Sequence, residues 1–93
     1  KNKNDDIDDT FCYQLFEENY FDTDKLQHLI NFVSAKKLDR NEADILQWII
    51  EGVDNCFIYH HDDNDYYRIT NYSNTIEDAW NNHWRAELIA SLP

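Results

Sequence analysis

The sequence predicts an α+β fold: a helix-rich single domain in the order α-α-α-β-β-α, with one antiparallel hairpin. Three observations predict it. Apolar residues recur at three-four spacing in four segments, capping residues precede these segments, and two short aromatic and β-branched runs flank an Asp/Asn cluster. A chain of 93 residues is long enough for one hydrophobic core and too short for two ordinary domains. It contains no internal repeat and no linker.

Residues 1–9 (KNKNDDIDD) hold one apolar residue and four aspartates, too little apolar surface to order themselves, so a flexible acidic tail is expected there. The domain then spans 10–93. Phe11, Cys12, Leu15, Phe16 and Tyr20 follow at helical spacing, capped by Asp9 or Thr10. Asp22-Thr23-Asp24 supplies caps and negative charge to a second helix, whose stripe is Leu26, Leu29, Ile30 and Val33 and which Lys36 and Lys37 close. For the third, Asp39-x-x-Glu42 reads as a capping box ahead of Ala43, Leu46, Ile49, Ile50 and Val53. Gly52 and Asp54-Asn55 are expected to end it.

Residues 56–61 (CFIYHH) and 66–72 (YYRITNY) then read as the two strands of the hairpin, turning at 62–65. Alternation along the strands places Cys56, Ile58, Tyr67 and Ile69 toward the core. Phe57, Tyr59, Tyr66, Arg68 and Tyr72 fall on the other face, where such residues form an interface unless a helix or a second copy covers them. A last helix starts at Thr75-x-x-Asp78 and carries Ile76, Ala79, Trp80, Trp84 and Leu88. Both tryptophans, and Trp48 or its immediate surroundings in the third helix, are expected against the core.

The charge is the main functional clue. Nineteen acidic residues against eight basic ones leave a formal charge of -11, which repels nucleic acid and anionic membrane and attracts basic surfaces. Neither direct nucleic-acid binding nor membrane insertion is expected, and cytoplasmic residence is the default. The chain opens on Lys1 rather than Met, which leaves its native amino terminus open. Cys12 and Cys56 sit in apolar segments and read as buried thiols, since no secretory context favours a disulfide.

No pattern for catalysis stands out. The single Gly provides neither an oxyanion turn nor a phosphate loop. Paired acids such as Glu17-Glu18 and Glu77-Asp78 point to different sides of a helix. His60, His61, Asp62, Asp63 and Asp65 are metal-ligand types without ligand spacing: the run lacks the Gly and Glu of an EF-hand, and adjacent His on a strand diverge. No enzyme activity, cofactor or metal is therefore expected.

In size and composition the chain resembles the small acidic inhibitors of phages and bacteria. These include nucleic-acid mimics that block restriction, CRISPR or other DNA-binding proteins, and immunity proteins that cap a basic nuclease toxin. The resemblance covers no alignable motif and transfers no residue. It implies a binder that occludes the basic nucleic-acid-binding surface of a partner, with carboxylates steering and aromatics anchoring. The residues expected at that interface are Asp39, Glu42, Asp44, Glu51, Asp54, Tyr59, Asp62, Asp63, Asp65, Tyr66 and Tyr72. A regulatory homodimer through the hairpin face is the alternative of another class.

Overall fold

A computed structural model describes residues 10–93; the expected tail over 1–9, and Asp9 as a cap, lie outside them. Among the described residues there are helices and no strand, so the fold is all-α and the expected hairpin is absent. Helix α1 is Thr10–Glu18, α2 is Thr23–Ser34 and α3 is Arg40–His61. The last helix, α4, runs over Asn74–Ala79, widens into a π-helical turn over Trp80–Trp84, and resumes over Arg85–Ala90. Helix α1 packs on α2 and α3, and the end of α4 packs across α2 and α3.

The expected caps of α2 and α3 are in place. Asp22 accepts from the amides of Asp24 and Lys25, and Asp39 with Glu42 forms the full capping box. At α4 the cap is Ser73, whose Oγ accepts from the Ile76 amide at 3.1 Å, and not Thr75. Helix α1 ends at Asn19, whose φ of 60° is left-handed; Asn tolerates this conformation better than most residues.

Helix α3 runs through Gly52 and Asn55 to His61, consuming the first expected strand. Its apolar period decides this. Ile49, Ile50, Val53, Cys56 and Phe57 are all buried and lie at i, i+1, i+4, i+7 and i+8, one continuous stripe. Packing of that stripe outweighs the strand preference of single aromatic and β-branched residues. Hence Phe57 is inside and Ile58 outside, the reverse of strand alternation there. Gly52 is no terminator: a Cβ on it would stand 2.6 Å from Cζ of Phe16, so the missing side chain lets α1 close on α3.

The second expected strand, 66–72, is an irregular segment pinned to the helices. Its backbone groups find partners without a ladder. The Ile69 amide donates to His60 Nδ1 at 3.0 Å, and the Thr70 amide to the Asn19 carbonyl at 2.7 Å. Asn71 uses both ends of its amide on the backbone of Phe21, accepting at 2.9 Å and donating at 2.8 Å. The Tyr67 hydroxyl donates to the Leu15 carbonyl.

The core is aromatic at its centre. Phe21 contacts Phe11 edge-on at 5.2 Å, Phe57 at 5.8 Å and Trp84 at 5.9 Å. Trp80 is fully buried, as expected, whereas Trp48 is 58% exposed and it is its neighbours Ile49 and Ile50 that enter the core. Cys12 and Cys56 are buried thiols with no disulfide, and burial pushes the Cys56 thiol up. No helix among the described residues is long and apolar enough to cross a membrane.

Candidate functional site

Helix α3 divides the expected interface acids into two sets. Asp44, Glu51 and, just past the helix end, Asp62 follow each other at seven and eleven residues along the exposed side. Seven and eleven residues are near-whole numbers of turns, so these carboxylates form one ridge with Trp48, Asn55 and Tyr59 between them. At ~1.5 Å per residue the 22-residue helix is about 33 Å long.

Three other acids, Asp39, Glu42 and Asp54, are engaged in structural contacts. Glu42 is buried; its Oε1 accepts from the Asp39 amide at 3.0 Å and its Oε2 lies 2.6 Å from Lys36 Nζ. The Lys36 hydrogen bond, seconded by that amide, holds the Glu42 carboxyl below the ordinary carboxylate range. Asp39 is committed as the cap, accepting from the Glu42 amide at 2.8 Å. Asp54 accepts from the Trp80 indole at 2.8 Å and from Arg85 Nε at 2.9 and 3.0 Å. Glu42 and Asp54 thus hold the fold together, and Asp39 does so while remaining exposed.

The π-helical turn makes the Asp54 arrangement. The Arg85 amide bonds to the Trp80 carbonyl, five residues back. A turn closed i to i+5 brings Trp80 and Arg85 to the same side, whereas in an α-helix the neighbours are three and four apart. Nothing local in the sequence pairs Asp54 with residues 26 and 31 positions away.

Beside the ridge, α1 and α3 frame a groove of about 320 Å³, walled by Phe16, Trp48 and Tyr59 and floored by Gly52, Cys56 and Tyr67. Glu51 and Asn55 supply its polar edge. Trp48 is held edge-to-face on Phe16 with ring centroids 5.5 Å apart. Sequence reasoning missed this groove because it placed Trp48 or its surroundings against the core and Gly52 at a helix end. The continuing helical period past Gly52 was the signal that could have revealed it.

At the end of α3, Asp62, Asp63 and Tyr66 are exposed and Asp65 is half-buried. Asp62 and Asp65 also accept from the amides of Asn64 and Tyr67, at 2.9 and 2.8 Å, which shapes the loop. Tyr72 is half-buried. It stacks on His60 at 4.1 Å and donates to Glu77 Oε1 at 2.5 Å. That bond to Glu77, helped by burial, pushes the phenol up to about 12. Burial opposes ionisation of Glu77, but the hydrogen bonds from Tyr72 and His61 outweigh it and hold the carboxyl below its ordinary value. His60 is held below its ordinary value, chiefly by burial and then by His61 and Arg68.

This His-Tyr-Glu cluster ties the 66–72 segment to α3 and α4. Among the described residues no group of three His, Cys, Asp or Glu is placed to hold a metal ion. The ion pairs among the described residues engage Glu42, Asp54, Glu77 and Glu87. Asp44, Glu51, Asp62 and Asp63 are in none of them. Comparison of the chain with protein-family models, with curated proteins and with solved structures finds no match.

Proposed function

We propose that this chain is a small acidic inhibitor that binds and occludes the basic nucleic-acid-binding surface of a partner protein, as anti-restriction and anti-CRISPR proteins do. The observation that carries the reading is the exposed ridge of α3, where Asp44, Glu51 and Asp62 lie in line without a cationic partner among the described residues. Open carboxylates on a rigid helix are pre-organised, so little ordering cost accompanies binding to a basic surface. Their spacing, about 10 and 16 Å by helical rise, is sparser than the phosphates of a DNA strand, which recur every ~3.4 Å. The ridge therefore stands in for a few phosphates and relies on Trp48 and Tyr59 for apolar anchoring.

The mechanism is stoichiometric and not catalytic: charge steers the encounter, and buried aromatic area slows release. The site of action is the cytoplasm, where the nucleic-acid-binding partner resides. An immunity protein capping a basic nuclease works by the same physics and differs only in the partner. The test is to retain a partner from bacterial lysate on the immobilised chain, then titrate the purified pair against salt and duplex DNA. Affinity is expected to fall steeply with salt, duplex DNA to displace the chain, and a D44N/E51Q/D62N variant to bind more weakly. Salt-insensitive binding without competition overturns the reading.

A further inference from the structure

We propose that the groove between α1 and α3 seats one arginine side chain of the partner, stacked on Trp48 and paired with Glu51. This deepens the inhibitor reading and rests on it.

Four observations lead to this occupant. First, Trp48 is 58% exposed yet fixed. Its ring packs edge-to-face on Phe16, and Phe16 in turn lies against the bare Cα of Gly52. A large apolar surface is thereby held open to solvent, which is how interface anchors are presented. Second, the groove, at about 320 Å³, lies at the small end of the ~300–1,000 Å³ of small-molecule sites. That is room for a long side chain and not for a folded element.

Third, the groove is lined by aromatic rings together with Glu51 and Asn55, and by no Lys, Arg or His. Glu51 is exposed, in no ion pair among the described residues, and accepts from Gln47 only at a long 3.4 Å. Fourth, the chain carries a formal charge of -11, so the occupant is cationic. Between the two long cations the geometry selects arginine. Its planar, weakly hydrated guanidinium stacks on an indole while its in-plane N–H groups donate to a carboxylate. A lysine ammonium makes the second contact but gains less from the first.

The experiment is an amide and indole NMR titration of the full chain with a capped Gly-Arg-Gly peptide, alongside lysine and citrulline counterparts. Saturable shifts are expected at the Trp48 indole and the Gly52 and Asn55 amides with arginine. Lysine should bind about threefold more weakly, as loss of the stacking contact implies, and neutral citrulline should not bind. Trp48→Ala and Glu51→Gln, both exposed positions, should each weaken the arginine peptide with the circular dichroism spectrum unchanged. Shifts confined to Asp44 and Asp62 overturn the groove while leaving the acidic ridge standing. Equal binding of lysine overturns the choice of arginine, and absence of shifts anywhere overturns the groove proposal, while the salt and duplex DNA titration of the purified pair decides the inhibitor reading separately. Groove shifts that grow with protein concentration and no peptide assign the groove to a second copy of the chain and overturn the proposal.

Discussion

Asp54 accepts from both the fully buried Trp80 indole and the Arg85 guanidinium, so its loss leaves an indole N–H in the core without an acceptor. Stranding a buried donor costs about 1–3 kcal/mol. Asp54→Ala is therefore expected to lower stability in urea unfolding by about 2 kcal/mol, and Asp54→Asn, which keeps an acceptor, by less. Equal stability of Asp54→Ala and the wild type means that the pairing contributes nothing. His60 makes a second residue-scale prediction. Its Nδ1 accepts the Ile69 amide, which requires the neutral ring. Its folded pKa is lowered by burial, with His61 and Arg68 lowering it further and Glu77 opposing. With the folded value depressed, the unfolded chain takes up the proton first. Stability should fall as pH drops below the ordinary histidine value of 6.5 and level off once the folded value is passed. The check is the difference between wild type and His60→Gln in unfolding free energy at pH 7.5 and 5.5. The wild type should lose more, with faster hydrogen exchange at Ile69.

At the scale of elements, what was legible depended on whether the deciding contacts were local. The starts of α2 and α3 were readable because Asp22, Asp39 and Glu42 act within four residues of themselves. The length of α3 was not, because Gly52 and Asp54-Asn55 resemble a helix end. Their partners, Phe16, Trp80 and Arg85, are far off in sequence. The 66–72 segment looked like a strand because it is rich in aromatic and β-branched residues. Its hydrogen bonds run to Asn19, Phe21 and His60 and not to a neighbouring strand. Gly52 supplies the test of that long-range argument. Gly→Ala inside a helix ordinarily gains about 1 kcal/mol, but here the methyl must displace the Phe16 ring. Helix gain and lost packing should nearly cancel, leaving the melting temperature within a few degrees of wild type. Trp48 fluorescence should shift to the red as its support moves. A clear gain in melting temperature with unchanged Trp48 emission argues against the close approach of the two helices.

For the whole molecule, charge was legible from composition, whereas its division into structural and open carboxylates was not. Of the eleven residues expected at an interface, Glu42, Asp54 and Tyr72 serve the fold from buried or half-buried positions, Asp39 serves it while exposed, Asp65 is half-buried, and the others are exposed. The open acids gather along α3 and at its end, next to a groove to which α1, α3 and Tyr67 all contribute, Phe16 and Trp48 lying more than thirty residues apart. The same distance relation governs how the halves of the chain hold each other. Asn71 grips Phe21, Thr70 grips Asn19, Tyr67 grips Leu15, and the Asp54 pairing joins α3 to α4. The exposed turn at Asp62, Asp63 and Asn64 joins them through the chain itself and a local turn bond from the Asp65 amide to the Asp62 carbonyl. The molecule is thus divisible there. Two separately expressed pieces, cut after Asn64, should reassemble into the native form when mixed, and reporter halves fused at that seam should reconstitute signal as the pieces find each other.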